Sequence, residues 1–127
     1  MNYEALVGID ITNLEEEFIK HSKAYYLVVT KHAEISRDLD HLAEKIKVLG
    51  ATLGRDAKNG ASSTSKKMTM ADIDNLISCN EDIIQMNNDK IDMQYKVNLL
   101  QGVLKSLEHK RDMLKLLGWQ QNRNDSM

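Results

Sequence analysis

The chain has 127 residues, 42% of them hydrophobic and 28% charged, and a formal net charge of −2. A chain of this size forms one domain at most, and its near-neutral charge does not by itself predict a nucleic-acid-binding protein. Only 5% of the residues are aromatic and proline is absent, so we expect an aliphatic core and long uninterrupted helices.

The chain also lacks the sequence signals of export or membrane insertion. No apolar run reaches the roughly 18 residues that a transmembrane helix needs. The first residues have neither the basic flank nor the apolar segment of a signal peptide. The single cysteine, Cys79, cannot form an internal disulfide and suits a reducing compartment. We therefore expect a cytoplasmic protein with no membrane partner.

The first long element follows a lead-in over residues 1–12 and is predicted to be a helix over 13–49. Thr12 or Asn13 is the expected N-cap, and Thr12 with Glu15 fits a capping box. Gly50 stands where a helix-ending glycine is common. A ladder of alternating four- and three-residue spacings, typical of a coiled-coil seam that meets another helix, runs through this helix. Its members are Leu14, Phe18, His21, Tyr25, Val28, His32, Ile35, Leu39, Leu42, Ile46 and Leu49.

His21 and His32 are the polar members of the ladder. One hypothesis makes them polar seam residues that tune register or subunit number; the other makes them a buried pH sensor or a metal pair. Eleven residues of helix separate them by about 16 Å, too far for one ion within a chain. We favour the first hypothesis.

Residues 50–68 are predicted to form a flexible, basic, Gly/Ser-rich loop. Arg55, Lys58, Lys66 and Lys67 outnumber the one acidic residue there, Asp56. Such a loop suits contact with a phosphate backbone, especially if an oligomer repeats it. The alternative is a solvated linker that charge keeps soluble.

A second long helix is predicted over 69–118, followed by a polar tail over 119–127. Thr69 and Asp72 approximate a capping box, with Met68 packing on Ile73 as a hydrophobic staple, and Gly118 is the expected end. Asparagines beside its apolar face are interpreted as either register-selecting or solvated. They are Asn80, Asn87, Asn88 and Asn98.

Together these elements predict a single all-α domain over 1–127. The two long helices form a coiled-coil-like hairpin joined by the basic loop, and the chain is expected to be oligomeric. The ladder and the second apolar face supply the predicted oligomer interface. Its residues are Leu14, Phe18, Tyr25, Val28, Ile35, Leu39, Leu42, Ile84, Ile91, Leu100 and Leu107.

No motif of an enzyme or a cofactor site occurs in the sequence. There is no paired-cysteine site, zinc-protease motif, phosphate-binding loop, dinucleotide fingerprint or nucleophile elbow. His41 lies near Asp38 and Asp40, but those carboxylates project from different sides of a helix. We therefore predict no catalytic residue, no metal and no cofactor.

The order and spacing of residues over about 9–120 resembles the UvsY-like family of phage recombination mediators. No single motif is diagnostic, and the resemblance rests on residues in both long helices. On the N-terminal side these are Ile9, Asp10, Thr12, Leu14, Tyr25, Lys31 and His32. On the C-terminal side they are Ile77, Glu81, Asp82, Tyr95, Leu100, Val103, Leu104, Arg111, Leu114, Lys115 and Trp119.

The resemblance implies a small, helical, non-catalytic protein that assembles into a ring-like homo-oligomer in the host cytoplasm. Its implied partners are single-stranded DNA, the single-strand-binding protein and a RecA-like recombinase, which the family helps to load in place of the binding protein. Alternatives remain. One is a structural or adaptor coiled coil without DNA binding, and another is a regulator that binds the recombinase alone.

One departure from the family concerns the DNA-contacting segment. The family enters its loop through a Lys-Ala-Arg segment followed by paired tyrosines, whereas this chain has Gly50-Ala51-Thr52-Leu53, with Asp56-Ala57 in place of the tyrosines. Base stacking is therefore not expected there. DNA binding would rest on phosphate contacts, weak per subunit and strongly salt-dependent. The predicted contacts are Lys45, Lys47, Arg55, Lys58, Lys66 and Lys67.

Overall fold

The structure is a computed structural model that describes residues 2–63 and 68–125, without the side chains of 61–63 and 125. It has four helices, α1 (Tyr3–Val7), α2 (Leu14–Ser63), α3 (Met70–Ser78) and α4 (Glu81–Asp125), and the described ranges contain no strand. The predicted all-α fold with two long helices is confirmed. The chain divides into two compact units, which we call unit 1 (Met1–Glu34 with Lys96–Met127) and unit 2 (Ile35–Tyr95).

The ladder forms the inner face of α2, as predicted. Val28 is 0% exposed, His21 is buried, and the other members are half-buried apart from Phe18, which is 39% exposed. Within unit 1 this face packs on α4 of the same chain. A hydrogen bond joins the two helices there: the Nε2–H of His21 donates to the carbonyl oxygen of Leu107 at 2.7 Å. The imidazole also stacks on Tyr25, with 6.2 Å between ring centroids.

Asn13, one of the two predicted caps, begins α2. Its Oδ1 accepts a hydrogen bond from the backbone N–H of Glu16 at 3.3 Å. Thr12 serves the preceding turn, since its hydroxyl donates to the Asp10 carboxylate at 2.6 Å and its backbone N–H donates to the same oxygen at 3.0 Å. These two bonds lower the pKa of Asp10.

The predicted loop over 50–68 is wrong for most of its length, because α2 continues to Ser63. Two of its glycines face α3. A methyl group on Gly50 would lie 3.8 Å from Ile77, and one on Gly54 would lie 3.7 Å from both Ile73 and Ile77. No glycine in the described ranges has a positive φ. Burial of Ile73 against this stretch offsets the roughly 1 kcal/mol that each glycine costs a helix.

The predicted second helix is two helices, separated at Cys79 and Asn80. The Thr69–Asp72 capping box forms as expected and begins α3. The Oδ1 of Asn80 accepts hydrogen bonds from the backbone N–H groups of Asp82 (3.0 Å) and Ile83 (3.2 Å) and so caps α4. Register selection is therefore the wrong interpretation of Asn80.

The predicted end at Gly118 and the polar tail are also wrong, since α4 continues to Asp125. A methyl group on Gly118 would lie 3.4 Å from the ring of Phe18. This glycine therefore marks a close contact between α4 and the start of α2 within unit 1. Leu114, one turn earlier on α4, is 0% exposed.

Lys110 joins three helices of unit 1. Its buried Nζ lies 3.0 Å from Glu17 Oε2 on α2 and donates to the carbonyl oxygen of Leu6 on α1 at 2.9 Å. The hydrogen bond from Lys110 is the largest cause that lowers the pKa of Glu17. No local motif in the sequence indicates this role for Lys110, although its spacing of three from Leu107 and four from Leu114 places it on the packed face.

Candidate nucleic-acid interface

The structure places four of the six predicted DNA-binding residues on α2, in unit 2. Lys45, Lys47, Arg55 and Lys58 are all exposed there. The other two, Lys66 and Lys67, lie outside the described residues. Because α2 is helical through this segment, the cations have fixed spacings, in contrast to the flexible loop that the sequence predicted.

Lys47, Arg55 and Lys58 share one side of α2, and we call these three residues the basic row. At 100° per residue, Arg55 lies about 80° and Lys58 about 20° around the helix from Lys47. The row extends about 16 Å along the axis, from a rise of about 1.5 Å per residue. Its side borders the face of α2 that packs on α3, because Gly54, about 20° around the helix from Lys47, lies against Ile73 and Ile77.

Lys45 does not belong to this row. Two residues of helix separate it from Lys47 by about 200°, which places it on another side of α2. There it lines a shallow hollow of about 370 Å³ with Val48, Thr52 and Met86. The predicted DNA-binding set is therefore divided between two sides of one helix.

One carboxylate of α2 lies beside the basic row: Glu44, just before the stretch 45–60, is three residues ahead of Lys47 and about 60° around the helix from it. The one acidic residue in that stretch, Asp56, lies about 180° around the helix from Lys47. The ion pairs found in the described ranges involve none of the three cations of the row. Their charge is available to an external anion, and the Arg55 guanidinium can present a two-pronged donor to a phosphate.

No aromatic side chain accompanies the basic row, because residues 35–63 contain no Phe, Tyr or Trp. Base stacking cannot supplement the phosphate contacts at this surface. The arrangement can therefore attract a phosphate backbone but cannot read the identity of a base.

The predicted oligomer-interface residues have different environments. Val28, Leu100 and Leu107 are buried inside the chain itself, whereas Ile84 is 46% and Ile91 67% exposed on α4. The remaining members are half-buried, apart from Phe18. Ile84 and Ile91 are seven residues apart and so lie on the same side of α4. These two are the members most open to a second copy.

A residue that the sequence analysis missed extends this exposed side of α4. Tyr95 is 68% exposed and lies four residues beyond Ile91, one turn further along the helix. The signal was present in the 84–91–95 spacing, but Tyr95 was not among the predicted interface residues. We call Ile84, Ile91 and Tyr95 the apolar stripe of unit 2.

The described ranges show no group of three His, Cys, Asp or Glu side chains that could hold a metal ion. None of the helices in these ranges is long and apolar enough to cross a membrane. His32 has a buried Nε2 with no hydrogen-bond partner in the described chain. No ligand cluster surrounds it there, and the metal-pair hypothesis gains no support.

Among the known proteins with which the chain was compared, the matches are to solved structures. No family model matches the sequence, and no curated protein matches it. Two crystal structures of the recombination mediator protein UvsY from bacteriophage T4 match with TM-scores of 0.73 and 0.72, each at 16% sequence identity. They cover 98% of this chain and 93% and 96% of the UvsY chains. The chain therefore has the helical fold of UvsY, and the resemblance noted in the sequence is confirmed at the level of the fold.

Proposed function

We propose that this chain is a recombination mediator of the UvsY type. It binds single-stranded DNA as a homo-oligomer and helps a RecA-like recombinase replace the single-strand-binding protein. The observation that carries the proposal is the likeness of fold to UvsY over 98% of the chain. The role is non-catalytic, since positioning and exchange need no reacting side chain.

The DNA contact is assigned to the basic row. Three cations on one side of a helix, none of them in an ion pair found in the described ranges, meet phosphates independently of sequence. A chain with a net charge of −2 lacks a general attraction for DNA, so binding depends on this local concentration of charge. Contact through the basic row of a single subunit is weak, because the row offers only three cations and no stacking ring.

Assembly is assigned to the apolar stripe of unit 2. Ile84, Ile91 and Tyr95 leave apolar surface in water along one side of α4, and a second copy would cover it. An oligomer repeats the basic row, and its weak contacts together give a high affinity for one strand, because each contact after the first is intramolecular. Binding through many weak contacts also suits a protein that must later release the strand, because the contacts can be broken one at a time.

Fluorescence anisotropy with a labelled oligo(dT) and the matching duplex tests the DNA assignment. At about 50 mM salt, where phosphate contacts are strong, we expect binding to the single strand. The triple variant Lys47→Ala, Arg55→Ala, Lys58→Ala should lose most of it. A matched control, Lys23→Ala, Lys31→Ala, Lys96→Ala, removes three exposed cations from unit 1 with the same change in net charge. No binding by the wild type would leave the adaptor hypothesis in place.

Light scattering tests the assembly assignment. Ile91→Lys places a charge in the middle of the apolar stripe and should lower the mass of the particle in solution. Gln85→Lys, an exposed change elsewhere on α4, is the control and should leave the mass unchanged. A wild-type chain that is monomeric at all concentrations would reject the assignment.

A pull-down with the recombinase and the single-strand-binding protein separates the mediator from the remaining alternative. If the chain is a mediator, it should capture the recombinase in the pull-down when DNA is present. A chain that captures the recombinase but shows no DNA binding by anisotropy would be a regulator of the recombinase alone.

A further inference from the structure

Trp119 is a large aromatic side chain exposed near the end of α4. Its side chain is 60% exposed, and it is the chain's single tryptophan. An indole of this size normally buries most of its surface in a core or an interface. Neither the fold nor the proposed function gives this exposed ring a role.

The helix that carries Trp119 is held in place on its other side. Leu114 is fully buried, and the preceding residue, Gly118, lies against the ring of Phe18 on α2. These contacts hold α4 within unit 1 as far as Gly118, the residue before Trp119. The ring is therefore presented from a held helix, not from a loose tail, and a ligand that meets it need not order the backbone first.

Cations lie one turn to either side of the ring. The Arg123 guanidinium carbon lies 5.4 Å from the centroid of the Trp119 ring, which is cation–π distance. Lys115 is exposed four residues before Trp119 and so lies on the same side of the helix. No acidic residue occurs over 113–124. Because Arg123 lies over one face of the indole, a base would stack on the other face, with its phosphate held by the charge of Lys115.

We propose that Trp119 is a base-stacking site for single-stranded nucleic acid and that Lys115 contacts the adjoining phosphate. The proposal rests on the proposed function, because it assigns a second contact to the same ligand. It supplies the stacking that the basic row lacks. An acidic protein segment would suit the two cations but gives no reason for the exposed indole.

Because Trp119 is the single tryptophan, its fluorescence reports directly on this site. With unlabelled wild-type protein and labelled oligo(dT), we expect anisotropy to rise and tryptophan emission to fall over the same concentration range. A rise in anisotropy with unchanged emission would overturn the stacking site and leave the proposed function intact. No rise in anisotropy would overturn both.

Substitutions provide a second readout that does not depend on emission. Trp119→Ala should weaken binding to oligo(dT) by about tenfold, the usual effect of losing one stacked base, and Trp119→Phe should recover part of the loss. Leu116→Ala removes exposed apolar surface nearby without removing a ring and should change affinity by less than about twofold. Equal losses for Leu116→Ala and Trp119→Ala would reject stacking.

The competing occupant is tested with a polyglutamate peptide. Emission that falls with this peptide but not with oligo(dT) would assign the surface to an acidic protein partner and would contradict the proposal. Circular dichroism of each variant confirms that helix content is unchanged.

Discussion

Unit 1 and unit 2 share the two long helices but use them differently. Of the described residues, seven of the nine buried apolar side chains belong to unit 1, and unit 2 contributes Ile73 and Ile83. Unit 2 instead carries the exposed basic row and the apolar stripe. The difference indicates that apolar burial stabilises unit 1 more than unit 2, whereas unit 2 carries the two exposed surfaces to which DNA binding and assembly were assigned above.

The polar contacts follow the same division. The two buried polar residues of the described chain, His21 and Lys110, both belong to unit 1, and both bind a main-chain carbonyl of another helix. A buried polar group that has its partner fixes the alignment of helices, because sliding would leave it unsatisfied. The alignment of the helices in unit 1 is therefore fixed by these two hydrogen-bonded side chains as well as by apolar burial.

The largest expected effect comes from removing a buried leucine of unit 1. Leu107→Ala should lower the free energy of unfolding by about 2–5 kcal/mol, because a fully buried side chain leaves a cavity. Ile91→Ala in unit 2 removes a side chain that is mostly exposed and should cost less than about 1 kcal/mol. Urea unfolding followed by circular dichroism measures both. Equal losses in the free energy of unfolding for Leu107→Ala and Ile91→Ala would contradict the difference between the two units.

The second effect concerns the buried lysine. Lys110→Ala should cost about 2–3 kcal/mol, because the Glu17 carboxylate and the Leu6 carbonyl lose their shared donor. Lys47→Ala, on the exposed row of unit 2, should change stability by no more than about 0.5 kcal/mol. If Lys110→Ala proves neutral in the same urea assay, the three-helix contact does not stabilise unit 1.

A smaller effect is expected at the start of α3 in unit 2. Thr69→Ala removes the hydroxyl that accepts from the Asp72 N–H and should cost about 1 kcal/mol. Thr52→Ala is the matched control, since its hydroxyl donates only to the Val48 carbonyl within α2 and should matter little. A Thr69→Ala variant as stable as wild type would show that unit 2 does not depend on this cap.

The smallest effect is a dependence on pH that belongs to unit 1. Lys110 lowers the pKa of Glu17 from its ordinary value of 4.5. Glu17 therefore stabilises the fold fully above about pH 4.5, and this contribution is lost as pH falls through the lower pKa of the folded state. Unfolding of wild type and Glu17→Gln across this range should show a difference that is largest near neutral pH and shrinks in acid. A difference independent of pH would contradict the assignment.

The sequence predicted the parts of this fold that follow from periodicity. The ladder from Leu14 to Leu49 is the inner face of α2, and the Thr69–Asp72 capping box forms. Both depend on neighbours within one or two turns, which spacing reveals directly.

The errors arose where a tertiary contact overrides a local signal. Gly50 and Gly118 are common helix ends, yet helices continue through both because another helix packs against them. Leu53 stands at the next ladder position, four residues after Leu49, and could have revealed that the helix continues past Gly50. The pairing of Lys110 with Glu17 joins residues far apart in the chain, and no local pattern predicts it.

For the candidate site, the sequence predicted which residues take part but not how they are arranged in space. Lys47, Arg55 and Lys58 were identified as cations of a flexible loop, whereas the helix places them on one side and separates Lys45 from them. Charge can be counted in a sequence, but its direction depends on the secondary structure that carries it.

The salt dependence of binding to oligo(dT) tests the central claim most directly, because it counts the phosphate contacts that the basic row makes. For single strands each contact contributes about 0.7 to the slope of log affinity against log salt. Removal of Lys47, Arg55 and Lys58 together should therefore flatten that slope by about 2, while the unit 1 control variant keeps the wild-type slope. A triple variant with the wild-type slope and affinity would contradict the assignment of DNA binding to unit 2.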